Sequence, residues 1–122
     1  MKELSMDIKA YQNKLQKFAE ERDWNQFHSP KNLSSALVCE AAELVEIFQW
    51  MTESDSENLT DDDLKKEISH EIADIQLYLM RIADRLNIDI ENAVQEKLAI
   101  NAEKYPISLS KGNSTKYSRR KS

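Results

Sequence analysis

Four carboxylates stand in two short motifs, Glu40-Ala-Ala-Glu43 and Glu71-Ile-Ala-Asp74, each inside an otherwise apolar helical stretch. Acids three residues apart on a helix project side by side, so each motif can offer two oxygen ligands to one cation. With Glu40 and Glu71 each set at the origin of a helical wheel, at about 100° per residue, their neighbours fall into matching places. Leu37 corresponds to Ile68, Ala41 to Ile72, Leu44 to Ile75, Ile47 to Tyr78 and Phe48 to Leu79. In both segments the first acid lies within the apolar arc and the second at its edge on the same side. An isolated buried carboxylate neutralises or destabilises its fold, so such a cluster implies bound metal, a basic partner, or both. Mg²⁺ suits the donor set, because it prefers hard oxygen ligands and keeps waters and phosphates in its shell.

A redox alternative fits less well. A di-iron carboxylate bundle needs Glu-x-x-His motifs on two helices, and Glu67-Ile-Ser-His70 supplies one. The chain has only 2 histidines, and His28 has no glutamate three residues before it. His70 also points away from the acidic face on the wheel. Elsewhere, Lys97, Asn101 and Lys104 recur at spacings of four and three beside Tyr105-Pro106. Such a row can neutralise phosphates, and an ordinary solvated helix face has the same pattern. Trp24, Phe27, His28 and Trp50 flank the stretch that carries Glu40 and Glu43, where aromatic faces either sandwich a nucleobase or pack into a core or subunit interface.

The elements that must position these residues are helices. The 122 residues contain 1 Gly and 2 Pro, so turn punctuation is sparse while good helix formers are plentiful. That composition is all-α, and its length suits one domain over residues 1–107 with a basic tail over 108–122. Leu4, Ile8, Tyr11, Leu15 and Phe18 mark an amphipathic first helix ending near Arg22 to Trp24. Ser29-Pro30 is a start signal for a second helix running to about Met51. Residues 52–59 read as an exposed acidic connection, and Thr60 with Asp63 resembles a capping box for a third helix over about 61–86. Asp61, Asp62 and Asp63 suit the positive end of that helix's dipole better than they suit a metal. Asn87 closes it, and Asp89 caps a fourth helix that Pro106 stops. From Ser108 the chain lacks periodicity and is expected to be flexible unless a ligand or partner subunit orders it. If the second and third helices are antiparallel neighbours, the two acidic pairs meet at one level.

Charge and cysteine usage bound the partners. The net charge of -5 hides a tail whose Lys111, Lys116, Arg119, Arg120 and Lys121 are unaccompanied by any acid. The rest of the chain is therefore near -10, which disfavours nucleic acid as a main partner, although a small anion can still bind through a metal. Cys39 is the only cysteine, no intrachain disulfide can form, and no signal-like or membrane-length apolar segment is present. A cytoplasmic location is the default expectation, with no membrane partner.

Taken together, Glu40-x-x-Glu43, Glu71-x-x-Asp74, the stretch from Glu21 to His28 and the run Lys97-x-x-x-Asn101-x-x-Lys104-Tyr105-Pro106 resemble the MazG-like nucleotide pyrophosphohydrolases. The likeness is greatest to the all-α dCTP pyrophosphatase group. It covers about residues 15–117, including Lys111-Gly112-Asn113-Ser114-Thr115-Lys116-Tyr117. The resemblance implies a four- to five-helix bundle forming an intertwined dimer that assembles as a dimer of dimers. It implies Mg²⁺ held by Glu40, Glu43, Glu71 and Asp74, which would also be the catalytic set. The implied substrate is a deoxynucleoside triphosphate, dCTP or a modified dCTP, attacked by water at the α-phosphorus to release pyrophosphate. Trp24, His28, Trp50 and Tyr78 would line the base and sugar pocket, and Lys97, Asn101 and Lys104 would hold the triphosphate. Lys111 and Lys116 would reach phosphates from a neighbouring subunit. Two positions depart from the family pattern: Cys39 precedes Glu40 where many members have adjacent glutamates, and Lys104 stands where arginine is common. A nonenzymatic helical module that binds a nucleotide or a protein is the alternative from another functional class.

Overall fold

The computed structural model describes residues 5–115 and 118, and every regular element among them is helical. Asp7 opens α1 (Ile8–Glu21) by accepting a hydrogen bond from the Ala10 N–H at 3.0 Å. Ser29 Oγ does the same for Asn32 at 3.1 Å, with Pro30 as the first residue of α2 (Pro30–Phe48), so this start signal is met as expected. Asp89 likewise caps α5 (Ile90–Lys104), accepting from Asn92 at 3.1 Å. Leu4, the first residue of the expected α1 stripe, lies outside the described residues. No helix among the described residues is long and apolar enough to cross a membrane.

Several boundaries differ from the sequence reading. α2 stops at Phe48, not near Met51, and residues 52–59 hold a short helix, α3 (Glu53–Glu57), where an open connection was expected. The capping box belongs to α3: Thr52 Oγ1 accepts from Asp55 N–H at 3.0 Å while Asp55 Oδ2 accepts from Thr52 N–H at 3.2 Å. Thr60 and Asp63 form no such box. Asp61 caps α4 (Asp62–Arg85) instead, its Oδ1 reaching the N–H groups of both Asp63 and Leu64. Pro106 ends α5, as expected, but the chain then makes one further turn, α6 (Ile107–Ser110), which runs into the segment from Ser108 that was expected to be flexible. Tyr105, the residue before the proline, already leaves the helical region at ψ 66°, and the extended ψ of 147° at Pro106 re-aims the chain into that turn.

Two helices end in the same device, and neither uses glycine. Asp23 and Asn87 adopt left-handed backbone at φ 54° and 55°. Around them Trp24 N–H donates to Ala19 O and Ile88 N–H to Ala83 O, each at 2.8 Å, which closes a Schellman motif on α1 and on α4. Asn and Asp tolerate this conformation better than other L-residues, since their short polar side chains bond locally. The carbonyls so satisfied belong to Ala19 and Ala83, both buried.

Among the described residues, those up to Ile88 form one compact unit and those from Asp89 a second. In the first unit α4 packs against both α2 and α1. Its core is small: Ala19, Leu33, Met80 and Ala83 are the buried apolar residues, joined by Gln12, whose Nε2 donates to Met80 O at 2.9 Å. Meanwhile Val38 and Val45 on α2 are 67% and 64% exposed, and Ile72 and Leu79 on α4 are also exposed.

Candidate functional site

α2 and α4 run antiparallel. Leu33 and Glu40 of α2 share a cavity with Asp74, Leu77, Tyr78 and Arg81 of α4, whereas Glu43, Glu46 and Ile47 share a groove with Leu64, Glu67 and Glu71. Residue numbers thus rise along one helix as they fall along the other. This arrangement brings the two acidic motifs to one level, as the wheel alignment requires. Oxygens of Glu40, Glu43 and Glu71 all lie within 4.8 Å of one another, with Glu40 and Glu71 half-buried and Glu43 exposed. Asp74 is half-buried one turn beyond Glu71 and falls outside this group of three, on the cavity side beside Glu40.

The electrostatics of the cluster are unresolved by protein groups. Glu40 Oε2 and Glu71 Oε2 are buried and accept no hydrogen bond among the described residues. None of the four carboxylates forms an ion pair with a described Lys or Arg. The Glu71 carboxyl group opposite, with which a proton could be shared, pushes the Glu40 carboxyl above its ordinary range, and burial adds to this. Glu40 in turn raises Glu43. Carboxylates crowded together, with buried oxygens lacking donors, fit a hard divalent cation.

Beside the acids lies a cavity of about 470 Å³ lined by α1, the α1–α2 loop, α2 and α4. Its walls are largely aromatic: Tyr11, Phe18, Trp24, His28 and Tyr78 all contribute. Trp24 meets Phe18 edge-on, with ring centroids 5.6 Å apart, and meets His28 at 6.0 Å. Tyr78 is half-buried, and burial followed by the nearby Glu40 and Asp74 charges holds its hydroxyl above the ordinary range, so it stays a hydrogen-bond donor. Burial, then Arg81 and Arg85, holds His28 below 6.5 and therefore neutral near pH 7.

Of the residues singled out from the sequence, Trp24, His28 and Tyr78 thus come together beside Glu40 and Asp74. Trp50 does not line this cavity: it lies just beyond α2 and is 90% exposed. Lys97, Asn101 and Lys104 are exposed on α5 of the second unit, Lys111 is exposed after α6, and Lys116 lies outside the described residues. Sequence reasoning did not pick out Tyr11, Leu15 and Phe18 as cavity walls, because their spacing is also that of an ordinary core stripe. It also missed Arg81, although Asp74, Tyr78 and Arg81 follow one another at spacings of four and three on one face of α4, which is the available signal.

Comparison with known proteins agrees with this architecture. The chain is 44% identical to dCTP pyrophosphatase 1 of Rattus norvegicus over 103 residues, which is 82% of this chain and 59% of that protein. It is 41% identical to the Homo sapiens protein of the same name over 101 residues, again 82% of this chain and 59% of the relative. The chain thus spans about three-fifths of the length of the curated relatives it matches. Among solved structures, a pyrophosphatase from Archaeoglobus fulgidus DSM 4304 superposes with a TM-score of 0.73 at 34% identity, covering 87% of this chain and 98% of that one. The MazG-like family model matches residues 36–119, a span that takes in both acidic motifs, and the chain belongs to the MazG-like family.

Proposed function

We propose that this protein is a Mg²⁺-dependent nucleoside triphosphate pyrophosphohydrolase acting on deoxynucleoside triphosphates, foremost dCTP or a modified dCTP, in nucleotide-pool housekeeping. The observation that carries the reading is the pair of buried, donorless oxygens on Glu40 and Glu71 next to an aromatic cavity. The names of the relatives support it. Glu40, Glu43 and Glu71 would hold the metal, with Asp74 completing the set. When bound, Mg²⁺ supplies charge compensation for triphosphate oxygens and polarises the α-phosphoryl group.

The chain's own groups do the rest. One carboxylate of the set takes the proton of the attacking water as general base. The water oxygen bonds to the α-phosphorus, the bond from that phosphorus to the bridging oxygen breaks, and pyrophosphate leaves with the nucleoside monophosphate behind. Trp24 and His28 meet the base, and the Tyr78 phenol packs against the sugar, where a 2′-hydroxyl would crowd it. Lys97, Asn101 and Lys104 would hold the triphosphate, and Lys111 and Lys116 would reach its phosphates from a neighbouring subunit.

The active form in this reading is a cytoplasmic homo-oligomer, a tetramer built from dimers, with residues 1–107 as its domain and 108–122 as a basic tail. The apolar side chains left exposed on α2 and α4 support association, and Trp50 would meet a cavity only in a neighbouring subunit. A pyrophosphate-release assay across canonical and modified triphosphates, with and without Mg²⁺, tests the reading. Release that needs Mg²⁺ and favours a cytosine base is expected. Orthophosphate as the first product contradicts it, and absence of any turnover favours a nonenzymatic binding module.

A further inference from the structure

Arg81 is 3% exposed, yet it lacks the close carboxylate that a buried cation ordinarily has. Asp84 Oδ2 lies 3.8 Å from its Nη1, and the other Asp84 oxygen is 3.9 Å from Lys9. The guanidinium faces neutral acceptors instead. Nη1 donates to Gln16 Oε1 of α1, Nη2 to Asn25 Oδ1 at 2.7 Å, and Nε to His28 Nδ1 at 3.2 Å. One side chain of α4 therefore ties α1, through Gln16, and the middle and far end of the loop that carries Trp24, through Asn25 and His28, to the wall of the cavity.

The bond to His28 also fixes chemistry. An arginine does not give up its proton in a protein, so Nε can only donate and His28 Nδ1 can only accept. A neutral imidazole with a bare Nδ1 carries its hydrogen on Nε2. Among the described residues Nε2 meets no acceptor, and it is not among the fully buried unpaired atoms, so this N–H remains accessible on a ring that lines the cavity.

We propose that Arg81 is a positioning residue that locks His28 as its Nε2–H tautomer, so that the cavity wall offers an N–H donor to an acceptor atom on the base of the bound nucleotide. The proposal rests on the nucleotide reading of the cavity. Asp74, Tyr78 and Arg81 then act on successive turns of one helix face: an acid at the reacting end, a phenol at the sugar, and a guanidinium behind the group that meets the base.

Two measurements on the full chain separate the two ideas. The first uses histidine labelled with nitrogen-15 in nucleotide-free protein, with the His28 signals identified by their loss in His28→Phe. The proposal requires the hydrogen on Nε2, and a hydrogen on Nδ1, or on both nitrogens at neutral pH, overturns it without reference to catalysis. The second compares Arg81→Met, His28→Phe and the double variant with dCTP as substrate and with methyl triphosphate, which has no base, as competitive inhibitor. Expected are a KM for dCTP raised about tenfold in each single variant and no further in the double, the size of one lost hydrogen bond. The kcat is expected to stay within about twofold, and the inhibition constant of methyl triphosphate to hold. Parallel losses for dCTP and methyl triphosphate, or additive losses in the double variant, overturn the role through His28. If Arg81→Met does not fold, the wild-type tautomer together with the KM of His28→Phe decides. A wild type that turns over no triphosphate, with the tautomer as stated, marks failure of the nucleotide reading and with it the role toward a base.

Discussion

Glu40 on α2 and Glu71 on α4 face each other across the helix pair, each with a buried Oε2 that accepts no hydrogen bond among the described residues. Without a cation these groups repel one another or must share a proton, so the cluster works against the metal-free fold. Glu40→Gln is therefore expected to cut pyrophosphate release by about 10²–10⁴-fold while leaving helicity intact. In the presence of a chelator the same variant should melt no lower than the wild type. A variant that loses activity because it unfolds would contradict the assignment.

The pH dependence follows from the same crowding. Glu71 holds Glu40 above its ordinary value of 4.5, and Glu40 does the same to Glu43. A raised carboxyl binds its proton more tightly in the folded than in the unfolded chain. The metal-free protein therefore gains stability from these groups as the pH falls from above their raised values to 4.5, and the gain levels off below that. Mg²⁺ needs the deprotonated groups, so its stabilising effect should shrink over the same interval. Melting curves taken with Mg²⁺ and with chelator should converge on acidification, and a constant separation would argue against metal at these acids.

His28 behaves with the opposite sign. Burial and the Arg81 and Arg85 charges place it below 6.5 in the folded chain, so the unfolded chain takes up that proton first. Its contribution to stability is full above 6.5 and is lost as the pH falls through 6.5 to the lowered native value. The difference in melting temperature between wild type and His28→Asn should narrow, or reverse in favour of the variant, over that range. A difference independent of pH would contradict a half-buried, neutral imidazole.

At the end of α4, Asn87 holds a φ of 55°. Replacing it with valine forces a β-branched residue into left-handed backbone and should cost about 1–2 kcal/mol. Asn87→Gly should stay within about 0.5 kcal/mol of wild type, since glycine's ease there is offset by its freedom in the unfolded chain. Chemical denaturation of the two variants measures both.

Association should depend on the exposed face of α2. If Val38 and Val45 are covered by another copy, Val45→Asp buries a charge in that contact and should lower the mass seen by light scattering. An unchanged mass would place the subunit contact elsewhere.

Much of this was legible in the sequence, and for local reasons. Ser29-Pro30, Asp89 and Asn87 act within a turn of themselves, and the acidic motifs needed only helical periodicity to be aligned. The capping box was misplaced because the acidic run from Thr52 to Asp63 offers several cap-like residues three apart, and only the backbone selects Thr52 with Asp55. Arg81 stayed hidden because its partners, Gln16, Asn25 and His28, arrive from α1 and a loop far away along the chain. A lone arginine in an apolar stretch reads as surface until those acceptors are in place. Trp50 shows the converse: a likeness in sequence assigned it to a pocket, but within its own chain it faces solvent.

The most direct test of the central claim is to let the protein turn over dCTP with Mg²⁺ in water enriched in oxygen-18 and to read both products by phosphorus NMR. Attack at the α-phosphorus predicts the label in dCMP and none in pyrophosphate, with both products disappearing in Glu71→Gln. Label in pyrophosphate, or orthophosphate as the first product, would contradict the account.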